Sequence, residues 1–173
     1  MGVGAVSAVA HPQIALRPFL PQDAPFLADI FRASVEELTG DDYSEAQQDA
    51  WTSSADDLET FAGRLGQQLT LIGTLNGSAV GFISLAGTEE IDMLYVHPAA
   101  AGAGVATILL DAIEKLARAR GAMRLTTEAS DTALGFFARH GFEPQKRNTV
   151  SRAGEWLANT TMHKPLTSSG ANS

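Results

Sequence analysis

The sequence predicts one α+β domain with a parallel βαβ unit at its centre, and three observations carry that prediction. Residues 91–96 alternate at the two-residue period of a strand, and Pro98 ends the hydrogen-bonding ladder just beyond them. After a small-residue turn, Val105, Ile108, Leu109, Ala112, Ile113 and Leu116 recur at helical spacing, so that one face of a long helix is apolar and seeks a sheet. Around this pair, Asn76-Gly77 sits between two apolar runs as a hairpin turn, and further strand-like runs close the chain.

Taken in order, residues 14–17 read as a strand, and residues 23–38 as a helix with Asp23 as N-cap, Phe26, Leu27, Ile30, Phe31 and Val35 as its apolar stripe and Gly40 beyond its end. Ser44 with Gln47 has the form of a capping box for a short helix reaching Trp51, and a third helix is expected over residues 56–65. Strands at 69–75 and 79–85 flank the Asn-Gly turn. The central strand and helix follow, with Arg118, Arg120 and Gly121 marking the helix end. Residues 123–128 form another strand, Asp131 caps a short helix over 132–140, and two strands at 142–152 and 155–164 complete the domain.

Composition narrows the possible functions. A chain of 173 residues, 45% of them hydrophobic, can bury one sizeable core. Residues 14–166 are expected to form it, between a disordered N-terminal extension at 1–13 and a disordered tail at 167–173. A net charge of −8 and a pI near 4.8 argue against nucleic-acid and anionic-membrane partners and suit a cationic amine. The absence of cysteine excludes disulfides, a thiol nucleophile and Cys-based zinc sites and fits a cytoplasmic protein. His11, His97, His140 and His163 are scattered without ligand spacing, so no metal is expected. No apolar run approaches the roughly 18 residues of a membrane span.

The turn at residues 99–106 is the most informative segment. A helix start offers unpaired N–H groups and the positive end of the helix dipole, and Gly102 and Gly104 let an anion approach the backbone. A Walker A loop is excluded, because Val105 and Ala106 follow Gly104 where Lys and Ser/Thr are required. A dinucleotide fingerprint is approximated by Gly102-x-Gly104-x-x-Thr107, with Glu128 as a ribose-binding acid, but too little chain follows for a doubly wound domain. An ordinary βα turn with glycines for packing remains a further alternative.

Val96-His97-Pro98 followed by Ala101-Gly102-Ala103-Gly104-Val105-Ala106 resembles the pyrophosphate loop of the GNAT N-acetyltransferases, Gln/Arg-x-x-Gly-x-Gly/Ala after a strand ending Val-x-Pro. A second family signature, Ala-x-x-Phe-Tyr-x-x-x-Gly-Phe, is matched by residues 133–142, and element order agrees over about residues 14–166. The IDMLYVHP run at 91–98, residues 125–130 and the late Gly154-Glu155-Trp156 with Asn159 resemble a bacterial subgroup. Two positions depart from the pattern: Ala101 replaces Gln/Arg, and Phe137 replaces the tyrosine that commonly serves as general acid.

The resemblance implies a mixed, mostly antiparallel sheet of six to seven strands with a splayed parallel pair, flanked by helices. It implies acetyl-CoA, with its pyrophosphate on the amides of residues 102–106 (Gly102, Ala103, Gly104, Val105, Ala106) beside Ala101. The pantetheine would lie along Leu94, Tyr95 and Val96, with further contacts from Ser130, Phe136 and Phe137. A backbone N–H near Leu94 or Tyr95 would polarise the thioester carbonyl.

Direct attack needs a neutral amine, hence a proton acceptor. Asp92, placed by alternation on the side of Leu94 and away from Tyr95, and Glu128, at the end of the next strand, are the candidate bases, with Glu90 nearby. Either carboxylate also fits a structural role. Phe31, Ser34, Val35, Glu37, Tyr43 and Trp51 on one wall, and Trp156 and Asn159 on the other, are the candidate acceptor contacts, although such aromatics also serve as core. The expected activity is acetyl-CoA-dependent transfer to a primary amine of a small molecule or peptide, by a monomer or homodimer. A non-catalytic acyl-CoA-binding domain and an NAD(P)-binding oxidoreductase fragment are the alternatives.

Overall fold

The computed structural model describes residues 13–167, so most of the expected extension and tail lies outside the described residues. Seven strands form one sheet in the order β1-β2-β3-β4-β5-β7-β6. They are β1 (Ile14–Pro18), β2 (Leu69–Leu75), β3 (Ser78–Ala86), β4 (Glu90–Val96), β5 (Arg124–Ser130), β6 (Glu143–Arg152) and β7 (Glu155–Pro165). All neighbours are antiparallel except β4 and β5. The helices are α1 (Ala24–Leu38), α2 (Glu45–Thr52), α3 (Leu58–Gln67), α4 (Val105–Ala119) and α5 (Leu134–Arg139).

Two cores sandwich the sheet. Helices α1 and α3 bury Leu27, Phe31, Phe61 and Leu65 against Ile72, Phe82 and Met93 on one face. On the other, α4 buries Val105, Leu109, Ile113 and Ala117 against Ile83, Leu85, Ile91 and Leu125, with Phe137 of α5. The buried line of α4 therefore runs i, i+4, i+8, i+12, whereas Ile108 and Leu116, expected within the stripe, are 36% and 38% exposed at its rim. Gly81 of β3 makes room for this packing: a Cβ there would stand 3.0 Å from Val105 Cγ1. Among the described residues, no helix is long and apolar enough to cross a membrane.

The local signals of the sequence recur in the structure where they are self-contained. Ser44 and Gln47 form the capping box of α2, and Asn76-Gly77 turns between β2 and β3 with φ of 54° and 89°. Other expectations are overridden by tertiary partners. Asp23 does not cap α1; its carboxylate accepts two 2.8 Å bonds from Arg17 and one from the Leu20 amide, tying β1 to the loop before the helix. Phe26 is 62% exposed rather than part of the α1 stripe. Asp131 does not cap α5, because Arg147 of β6 engages it in a two-pronged ion pair, and Ser130 Oγ accepts from the Ala133 amide instead.

Candidate active site

The cleft begins where the sheet loses its continuity. β4 and β5 pair over Glu90–Thr126 and Ile91–Thr127 and then diverge, leaving residues 92–96 of β4 and 128–130 of β5 without each other as ladder partners. At the same place β4 carries a bulge, with the register against β3 slipping between Ser84–Met93 and Leu85–Ile91. Ile91 and Leu94 pack on the α4 side, whereas Met93 and Tyr95 pack on the α1 side. Asp92 also turns to the α1 side, bonded to Arg64 and Gln68 at α3. Simple alternation put Asp92 with Leu94 and away from Tyr95; the extra residue of the bulge reverses this.

Beyond β4, His97 Nδ1 accepts from the Ala99 amide and a 3-10 turn at Pro98–Ala100 leads to Gly102 and Gly104, with φ of 83° and 88°. Only glycine takes that left-handed backbone without strain, and a Cβ at either glycine would meet nothing within 4 Å, so open space faces both. The first hydrogen bond of α4 runs from the Ile108 amide to Gly104 O, leaving the amides of Val105, Ala106 and Thr107 outside the ladder. Ala101, where the family pattern has Gln/Arg, is exposed and adds no free donor, its amide being held by Pro98 O at 3.1 Å.

A cavity of about 290 Å³ occupies the splay. Of the residues anticipated from sequence it is lined by Phe31, Tyr43, Trp51, Asp92, Leu94, Tyr95, Glu128, Ser130, Phe137 and Asn159. Val96 and residues 101–106 lie outside it along the strand and turn, and Phe136 packs on His140 with centroids 4.3 Å apart and the rings tilted by 36°. Ser34, Val35 and Glu37 do not reach the cavity, and neither does Trp156, which is 64% exposed and contributes its carbonyl to Gln47 Nε2 at 2.8 Å.

The aromatic wall is a linked cluster. Trp51 Nε1 donates to Tyr95 Oη at 3.0 Å, and Tyr95 packs on Phe31 with centroids 4.5 Å apart. Burial pushes the Tyr95 phenol up to about 12, the Trp51 bond offsetting only part of that. Tyr43 Oη donates to Ala158 O at 2.7 Å and accepts from the Asp131 amide at 2.8 Å, which joins the α1–α2 connection to both β7 and the end of β5.

The carboxylates differ sharply in their surroundings. Asp92 accepts two bonds from Arg64, at 2.8 and 2.9 Å, and one from Gln68 at 2.8 Å. Burial alone raises its carboxyl, but these bonds outweigh it and hold the group below the usual range. Glu128 accepts from Thr161 Oγ1 at 2.7 Å and Asn148 Nδ2 at 3.0 Å through Oε2 alone, with Oε1 unpartnered among the described residues. Glu90, at the foot of the splay, is raised by burial and then by the charges of Asp92 and Glu128. Arg64, Gln68 and Arg152, which shape this site, carry no local sequence signal; only their charge or amide marks them.

Together these features make a cleft in which an anion can rest on a helix start, an extended chain can lie along an opened strand edge, and a carboxylate can remove a proton. That is the architecture of an acyl-CoA-dependent acyltransferase fold. Residues 39–166 match the family model described as the acetyltransferase (GNAT) domain, and the chain belongs to the GNAT family of N-acetyltransferases. It is 34% identical over 153 residues to the uncharacterised N-acetyltransferase YafP of Escherichia coli K12, covering 88% of this chain and 97% of that one. It is similar to the crystal structure of a GCN5-related N-acetyltransferase from Rhodopseudomonas palustris, with a TM-score of 0.87, 59% identity, and 94% and 100% of the two chains covered. PaiA N-acetyltransferase from Thermoplasma acidophilum, solved in complex with coenzyme A, shares the fold at a TM-score of 0.74 and 18% identity, over 89% and 99% of the chains.

Proposed function

We propose that the protein transfers the acetyl group of acetyl-CoA to an amine by direct attack within a ternary complex, in a cytoplasmic setting that the absence of cysteine suits. One observation carries the proposal: β4 and β5 part after two paired positions, immediately beside a helix start whose amides are free. The pyrophosphate rests on the amides of Gly102, Gly104, Val105 and Ala106, the Ala103 amide expected among them being held by Ala100 O at 3.2 Å, and the pantetheine adds to the edge of β4 at residues 94–96. Ser130 and Phe137 border the acetyl end, and an amide near Leu94 or Tyr95 receives the charge that develops on the thioester oxygen.

The amine nitrogen attacks the thioester carbon, the C–S bond breaks, and CoA leaves as the thiolate. The amine proton passes to Glu128, directly or through water, with Glu90 beside it. Asp92 is less suited to that task, because its ion pair with Arg64 stabilises the charged form and makes it a weaker base; its role is to fix the bulge against α3. Phe137 has no proton to give, and a thiol with a pKa near ~8.5 departs at neutral pH with little help. The CoA-bound relative sharing this fold, and a Salmonella typhimurium YncA structure with acetyl-CoA, support the choice of cosubstrate.

The test is release of CoA thiol from acetyl-CoA across a panel of amines, paired with calorimetric titration of acetyl-CoA. Amine-dependent release is the expected result. Acetyl-CoA binding without any amine-dependent release would leave an acyl-CoA-binding domain.

A further inference from the structure

We propose that the acceptor is an amine that carries its own carboxylate, an amino acid or short peptide, and that Arg152 is the residue that selects it. The inference rests on the acetyl-transfer reading above and names the substrate class of the same cleft.

Two arginines line the cavity, and they are not equivalent. Arg64 is consumed by its paired bonds to Asp92. Arg152, at the end of β6, forms no ion pair among the described residues, although Glu155 faces it across the hairpin. Its exposed side chain stands at the rim of the cavity, where solvent and an incoming acceptor meet. An unpaired guanidinium at the mouth of an otherwise acidic, aromatic cavity in a chain of net charge −8 is a carboxylate receptor by chemistry: its planar fork matches two oxygens.

The rest of the cavity fits the other parts of such a molecule. Glu90 and Glu128 stand at the splay, where the reacting nitrogen must sit, and favour the approach of an ammonium before it loses its proton. Phe31, Trp51 and Tyr95 offer an apolar wall for a side chain. The opening continues over β6 into a groove of about 490 Å³ that shares Glu128 and Arg152 with the cavity and adds Lys146, so a second residue of a peptide finds another cation there. A simple diamine would instead meet Arg152 as a repulsive charge.

The test uses matched triplets in the coupled CoA-release assay: phenylalanine, its methyl ester and phenethylamine; leucine, its methyl ester and isoamylamine; with Gly-Phe and its amide as the peptide arm. The ester's amine is the less basic, so a site indifferent to the carboxylate would favour the ester at neutral pH. The expected result is a kcat/KM for at least one free acid about tenfold or more above its ester and its decarboxylated amine. Arg152→Gln should erase that ratio through KM, and Arg152→Glu should invert it. Faster turnover of the ester or the plain amine, or a ratio that survives Arg152→Gln, overturns this inference alone. No acetyl transfer to any amine overturns the acetyl-transfer reading as well.

Discussion

The two walls of the cleft are built in opposite ways. The cofactor wall is one continuous stretch, residues 92–107, in which strand, turn and helix start follow each other and the groups on offer are mostly backbone amides. The acceptor wall is assembled from distant segments: Tyr43 reaches Ala158 and Asp131, Gln47 reaches Trp156, and Thr132 donates to Asp42 at 2.6 Å. A wall made of backbone depends on local conformation and tolerates many side chains. A wall made of long-range side-chain contacts is specific and is rewritten by single substitutions.

Substitutions can break or sharpen that contrast. The largest effect is expected where the walls meet: Glu128→Gln should lower kcat/KM for an accepted amine about a hundredfold at neutral pH with acetyl-CoA affinity intact, measured by steady-state kinetics and calorimetry. Next comes Arg64→Ala, which leaves the Asp92 carboxylate half-buried with only the neutral Gln68 amide as partner. It should cost about 2 kcal/mol in chemical denaturation, less than for a fully buried pair because both side chains keep some water. The Asp92 carboxyl sits below its unfolded value, so this stability is present above pH ~5 and lost as pH falls through the folded value. Asp92→Asn should flatten that acid limb.

Gly104→Val tests the cofactor wall alone. It should weaken acetyl-CoA binding by about 1.4 kcal/mol, a tenfold change, because the left-handed φ and the open approach are both lost. Tyr43→Phe tests the acceptor wall alone: removing a hydroxyl that serves two backbone groups should cost about 1 kcal/mol in stability and raise acceptor KM while acetyl-CoA affinity holds. The smallest change is Phe137→Tyr, which should leave kcat within about threefold, a barrier change under ~1 kcal/mol. A hundredfold gain would instead mean that loss of the thiolate limits the natural enzyme.

The same contrast explains what could be read from the sequence. The Gly102–Gly104 turn, the capping box at Ser44 and the Asn76-Gly77 hairpin depend on residues within a few positions of each other, and all are present. Asp23 and Asp131 have the residue type and place of N-caps, but arginines brought in by folding outcompete the helix amides for their oxygens. Trp156 stands on the expected hairpin, yet the orientation of β7 turns it to solvent and presents Leu157, Ala158 and Asn159 to the cavity. The family resemblance implies a bulge in β4, but the residues themselves do not mark its place at Asp92, since alternation within β4 is unbroken in the sequence and the slip exists only against β3.

The two-position pairing of β4 with β5 also has a mechanical meaning. The sheet consists of two plates, β1-β2-β3-β4 and β5-β7-β6, joined by a short hinge at Glu90–Thr126 and Ile91–Thr127. Across the gap from that hinge, the Tyr43 hydroxyl and the Gln47 amide act as struts from the α1–α2 connection and from α2 to the second plate. The width of the opening is thus set by groups that bond across it rather than by the reacting groups, and a change in strut length resizes the cleft while leaving Glu90 and Glu128 in place.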